Sequence, residues 1–223
     1  MIFGESVEAA PSDAPAAWVR PACAGVGFTV GALVPDVYPS VLRIDAPPSD
    51  DRFWPNYREL FAAIASVGAR HTSSAGRAWF GIWEGHGFDS GTRHIAWRGP
   101  VDDATSEWLE HERARLRDET ERRNAAIRSA LSTSPRFALP HRTYHLMTGP
   151  VSAATKLRNP ASADAWQRPD LFWPDDRSWF VATDVDFWAL FVGGDDDFLA
   201  ELADRVPTPS EMVPPSHPLE PDD

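Results

Sequence analysis

Apolar positions along the 223-residue chain change period several times, and each change marks an element. In NYRELFAAIASVGA, 56–69, Leu60, Phe61, Ile64 and Val67 recur at helical spacing, and Gly68 suits the C-terminal end. The period then drops to two. RAWFGIWEG, 77–85, sets Trp79, Gly81 and Trp83 on one face and Phe80 and Ile82 on the other, as a strand does. RHIAWRG, 93–99, is its candidate hairpin partner, and RTYHLMTG, 142–149, reads as a further strand. VGFTVGALVPDVYPSVLRI, 26–44, is apolar and β-branched but broken by Gly and Pro-Asp. It predicts one or two strands with a turn near Pro35 and Asp36.

The clearest helix is 102–132, with Asp and Thr at its start and Arg128 near its end. Asp118/Arg122 and Glu119/Arg123 stand at favourable i,i+4 spacing. Its apolar stripe is thin: Trp108, Leu109, Leu116, Ile127 and Leu131. A helix this polar is expected to lie largely in solvent.

The densest stretch runs from Trp173 to Phe198, WPDDRSWFVATDVDFWALFVGGDDDF. WPDDRSW has the composition of a turn into a strand, with Asp side chains able to bond nearby backbone N–H groups. Residues 178–192 are apolar on both faces by alternation, so the strand is expected to be covered on both sides. Asp184 and Asp186 interrupt one of those faces, which predicts a hairpin or an open cleft there. Gly193-Gly194 ends the strand, and Asp195, Asp196 and Asp197 cap and charge the start of a last helix.

These elements predict a single α+β domain with a mainly antiparallel sheet and two to three helices, one long and largely solvated. The domain is expected over 18–205. Residues 1–17 read as a flexible N-terminal segment. Residues 206–223, with six prolines, read as a disordered or extended tail.

Composition narrows the function. The formal net charge is −12, which disfavours nucleic acid and anionic membranes and suits a basic protein partner or a cation. Cys23 is the single cysteine, so a reducing, cytoplasmic setting is expected. The amino terminus has no secretory pattern, and no stretch approaches the ~20 apolar residues of a membrane helix.

Three segments together, YPSVLRIDAP, HTSSAGRAWFGIWEG and LFWPDDRSWFVATDVDFWALFVGG, carry a resemblance. Tyr38, Arg43, Ile44, Pro47, Trp173, Pro174, Asp176, Arg177, Trp179, Val192, Gly193 and Gly194 are the matching positions. On them the chain resembles an uncharacterised family of bacterial proteins from GC-rich genomes. That family carries His where this chain has Asp45. The resemblance implies no activity.

Recognised catalytic patterns are missing from the sequence. GVGFTVG, 25–31, lacks phosphate-loop spacing, and there is no Gly-x-Ser-x-Gly elbow. HTSSAG, 71–76, places His71 beside Ser73 and Ser74, which is adjacency rather than triad geometry. His141 and His145 lie four apart on a predicted strand, about 13 Å, too far for one ion.

Two readings remain. From Asp170 to Asp204 there are ten acidic residues and one basic residue, Arg177. With Trp173, Asp175, Asp176, Trp179, Asp184, Asp186 and Trp188, this segment reads as an acidic, aromatic-rich face of a non-catalytic interaction protein that needs no cofactor. The alternative is a metal-assisted hydrolase. Glu84 and His86 would then meet Asp184 and Asp186 across the sheet around a divalent cation.

Overall fold

The structure is a computed structural model that describes residues 3–23, 29–46, 57–86, 88, 102–140, 142–160, 162–184 and 186–219. The described elements run β1 (Glu8–Ala9), α1 (Val19–Ala22), β2 (Ser40–Asp45), α2 (Arg58–Gly68) and β3 (Ala78–Trp83). They continue with α3 (Asp103–Ser132), β4 (Arg136–Leu139), β5 (Arg142–Gly149), β6 (Arg158–Asn159), β7 (Ser162–Trp166) and β8 (Leu171–Pro174). The last four are β9 (Phe180–Thr183), β10 (Ala189–Gly194), α4 (Asp196–Ala203) and β11 (Ser210–Val213). The candidate hairpin strand 93–99 and residues 26–28 lie outside the described residues.

The fold is α+β, as the periodicity predicted. Nine strands form one antiparallel sheet in the order β1-β5-β3-β8-β9-β10-β2-β11, with β4 also on β5. Alternation divides the side chains of the central strands between two cores. Phe80, Ile82, Phe172, Val181, Leu190 and Val192 face one core, which α2 and α4 cover with Leu60, Phe61, Ile64, Phe198 and Leu202. Trp79, Leu171, Trp173, Phe180, Ala182, Ala189 and Phe191 face the other. Among the described residues, no long helix covers that second face. Val19, Val30, Val34, Tyr38, Val213 and Leu219 cover it instead, from both ends of the chain.

That second cover corrects the expected domain boundaries. Residues 1–17 supply β1, which pairs with β5, and the buried side chains Phe3, Val7, Ala10 and Ala16. Residues 206–219 are also built in. β11 pairs with β2, and beyond it the Gly31 and Val30 N–H groups donate to the Pro215 and His217 carbonyls at 2.8 and 3.0 Å. The prolines did not preclude this, because none lies within β11: Pro207, Pro209, Pro214 and Pro215 flank it. Among its described residues, segment 26–44 holds one strand: residues 30–32 form a 3-10 turn, and β2 begins at Ser40.

α3 extends about 45 Å by its helical rise. Asp102 caps it, accepting from the Thr105 N–H at 2.8 Å. Leu109 and Ile127 are buried, Trp108 is exposed, and most other side chains face solvent. Arg122 donates to the Asp118 carbonyl rather than its carboxylate, and Arg123 reaches the Pro160 carbonyl. The acidic partners on this helix instead meet Arg115 and Arg128.

Gly68 does more than end α2. A Cβ there would lie 2.6 Å from the Trp179 ring, whose Nε1 donates to the Gly68 carbonyl at 3.0 Å. Gly68→Ala is therefore expected to lose about 1–3 kcal/mol in urea unfolding through overpacking. Gly76→Ala, where a Cβ meets nothing within 4 Å, is expected to stay near wild type. Equal midpoints for the two variants would refute this packing account.

Candidate functional site

One end of the sheet gathers the chemistry. β3 leaves it at Trp83, β5 and β8 begin there, and β9 and β10 are joined there by the hairpin turn that carries Asp184 and Asp186. Arg142 and Tyr144 are two apart on β5 and so share its second-core face. Trp83 pairs in register with Tyr144, and the Arg142 guanidinium lies over the Trp83 ring at 4.3 Å.

Arg142 ties the two aspartates together. Its Nε and Nη2 donate to the Asp184 Oδ2 and Oδ1 atoms at 2.6 and 2.5 Å, a two-pronged pairing. Nη2 also donates to Asp186 Oδ2 at 2.7 Å. Asp184 is buried, and its Oδ1 accepts the Asp186 N–H at 2.9 Å, which fixes the turn. The Asp186 side chain is 69 % exposed. Beside this triad is a cavity of about 290 Å³ walled by Leu33, Leu139, Phe187 and Leu219, with Tyr144, Asp184, Asp186 and Arg142 on its polar side. A shallower depression of about 490 Å³ adjoins it over Trp83, Glu84 and Thr143.

The sheet separates the four residues of the metal alternative. Glu84 pairs with Arg136 at 3.0 Å. His86 Nε2 contacts both oxygens of Asp170, at 2.9 and 3.0 Å. Asp184 and Asp186 belong to Arg142. Among the described residues, no group of three or more His, Cys, Asp or Glu side chains is placed to hold an ion.

Asp170 was not singled out from the sequence, yet it is 2 % exposed. It accepts the Trp83 N–H at 2.7 Å as well as His86, with Arg168 3.6 Å away. Arg142 was also missed. Arg-Thr-Tyr at the start of a strand looks like any polar strand end, and the strand order that brings it to the hairpin is not local information. His145 lies outside both clusters: burial holds its imidazole below the usual histidine value, and Nδ1 has no partner among the described residues. His141 lies outside the described residues.

Of the expected docking face, Trp173, Trp179 and Asp184 are buried, while Asp175, Asp176, Asp186 and Trp188 are exposed. Trp173 and Trp179 are both 0 % exposed, so neither can anchor a partner, whereas Trp188 is 52 % exposed. Their burial follows from the two-core sheet, because Trp173 and Trp179 project into opposite cores. Asp175 accepts the Trp79 indole N–H at 2.8 Å. Asp176 accepts from the Thr72, Ser73 and Ser178 hydroxyls at 2.8–2.9 Å and from the Ser73 and Ser178 N–H groups. Thus the HTSSAG hydroxyls hold a turn, while His71 pairs with Glu201 at 2.8 Å. Arg177 sits at φ 59° with its guanidinium 5.0 Å from the Trp18 ring centre, and its carbonyl accepts the Tyr38 hydroxyl at 2.8 Å. The Tyr38 ring packs where a Gly193 side chain would be, at 2.8 Å. Tyr38, Arg177 and Gly193 thus meet on the second-core side of the sheet. Pro47 lies outside the described residues. Cys23 is buried, and burial pushes its thiol up to about 12.

No protein-family model, curated protein or solved structure matches the chain. Among the described residues, no helix is long and apolar enough to cross a membrane.

Two stability tests separate the clusters. Arg142→Ala leaves Asp184 buried without its counter-charge and is expected to cost about 3 kcal/mol. Asp186→Ala, at an exposed pair, is expected to cost under about 1 kcal/mol. Similar losses for both in denaturant melts would contradict this assignment. At Asp176, burial raises the carboxyl pKa, but the Ser73, Thr72 and Ser178 hydrogen bonds outweigh it and hold the group below its ordinary value of 3.8. Its folded-state pKa is depressed, so this turn stabilises the fold above that value and stops doing so as pH falls through the folded one. The stability gap between wild type and Asp176→Asn should therefore narrow below about pH 4. A gap that stays constant from neutral to strongly acid pH would show that charge has no part in it.

Proposed function

We propose that the protein is a non-catalytic binding protein whose recognition site is the cleft over Arg142, Asp184 and Asp186. Its partner is a protein that inserts a basic group. The observation that carries this reading is the unequal charge at the cleft: two carboxylates face one guanidinium, beside an apolar-walled cavity. The local charge is then −1, in a chain whose net charge is −12. A cationic group gains from the excess carboxylate, and an apolar wall accommodates the carbon atoms that carry it. The acidic chain steers a basic partner toward the cleft by long-range attraction. Trp188 and Asp186 are exposed beside the cleft.

This reading differs from an acidic face spread over Trp173–Phe198. Much of that charge is already bound to indole, hydroxyl, guanidinium and helix-start donors. It also differs from a metal centre, since an ion at the two aspartates would have to displace Arg142.

A short lysine-rich peptide with a free amino terminus tests the proposal by calorimetry at ~0.05 M and ~0.5 M salt. Binding should weaken at the higher salt and be lost in Asp186→Lys. Affinity indifferent to both would sink the electrostatic reading. Tight binding of Mg2+ or Zn2+ by the wild type, lost in Asp186→Asn, would favour the metal site instead.

A further inference from the structure

Tyr144 brings a hydroxyl to the cavity. The residue is 1 % exposed and lines the cavity, and its hydroxyl has no hydrogen bond among the described residues. Burial, with Asp170 and Asp184 adding to it, pushes the phenol above its ordinary value, so the oxygen keeps its proton at neutral pH. It is a donor that meets no protein acceptor among the described residues.

The same cavity contains an open acceptor. Asp186 engages Arg142 through Oδ2 alone, and its Oδ1 has no hydrogen bond among the described residues. The polar side of the cavity thus offers one anionic acceptor and one neutral donor, facing the apolar wall of Leu33, Leu139, Phe187 and Leu219.

Lysine and arginine heads only donate. Either could pair with Asp186, but neither gives the Tyr144 hydroxyl an acceptor. The amino terminus of a chain differs, because its ammonium group stands one carbon from a carbonyl. A cavity of about 290 Å³ also lies at the small end of ligand pockets, which span roughly 300–1,000 Å³, and so suits one residue rather than a long segment.

We propose that the cleft captures the free amino terminus of a partner polypeptide with an apolar first residue. Asp186 Oδ1 takes the ammonium group, the Tyr144 hydroxyl donates to the first carbonyl, and the first side chain packs against Leu139, Phe187 and Leu219. This inference rests on the binding reading above and names the basic group that enters. Capture of a chain terminus by a few convergent polar groups is a known mode of peptide recognition.

Calorimetry on the full chain with three peptides tests it. They are Leu-Ala-Ala amide with a free amino terminus, its N-acetylated form, and N-acetyl-Ala-Lys-Ala amide. The free form should bind, and both acetylated peptides should bind at least about tenfold more weakly, the loss of a charge-assisted contact. Asp186→Asn, at an exposed position, and Tyr144→Phe, accepted only if its unfolding midpoint matches wild type, should each weaken the free form by about tenfold. Tyr144→Phe should leave the weak binding of the acetylated lysine peptide unchanged. If the acetylated lysine peptide binds as well as or better than the free form, the amino-terminus assignment falls and the basic-group reading stands. If neither these peptides nor the lysine-rich probe binds at low salt, both fall.

Discussion

The central strands are apolar on both faces, and the rest of the molecule follows from that constraint. A strand such as β10, buried from Ala189 to Gly194, leaves no face for water. Both sides of the sheet must be covered. α2 and α4 cover one side with a conventional amphipathic stripe. The other side is closed by short elements and loops, through Val19, Val30, Val34 and Tyr38 and again from Val213 to Leu219. Segments that look too short and proline-rich to matter become half of the cover.

The same constraint builds the cleft. Asp184 and Asp186 continue the alternation of β9 onto the face that irregular chain covers. Where that cover ends, the two carboxylates meet Arg142 rather than apolar side chains. The cavity survives beside them because its walls come from a 3-10 turn, a strand end, a hairpin and the C-terminal segment, none of which packs like a helix. A buried carboxylate needs a partner, and a guanidinium with two parallel donors is the geometry that best provides one. On the opposite face Asp170 meets the same requirement with His86 and the Trp83 N–H. Two buried carboxylates, one per face, thus pin the same end of the sheet.

The tryptophan-rich stretch shows how composition can mislead. Trp173 and Trp179 look like surface anchors when read beside aspartates, but they alternate into two cores. The aspartates between them hold the turn that makes the alternation possible: Asp175 on the Trp79 indole, Asp176 on three hydroxyls. Charge clustered in sequence is thereby spent on local hydrogen bonds, and only a few carboxylates, Asp186 among them, remain open to a partner.

By itself the sequence determined what depends on neighbours in the chain. The helical spacing of Leu60, Phe61, Ile64 and Val67, the alternation of 77–85, the Asp195 cap and the interruption at Asp184 and Asp186 all rest on periods of two or 3.6 and on contacts within four residues. These were legible, and with them the α+β class. Only the tertiary structure decided what depends on strand order. It placed β5 two strands from β8 and three from β9, so that Arg142 could reach Asp184. It put Glu84, His86 and the aspartate pair with three different partners, and it turned the terminal segments into strands and cover. A guanidinium 42 residues from its carboxylate leaves no mark on local periodicity. The physical reason is that pairing across a sheet is chosen by the burial of whole faces, a property of the assembled chain rather than of any one segment.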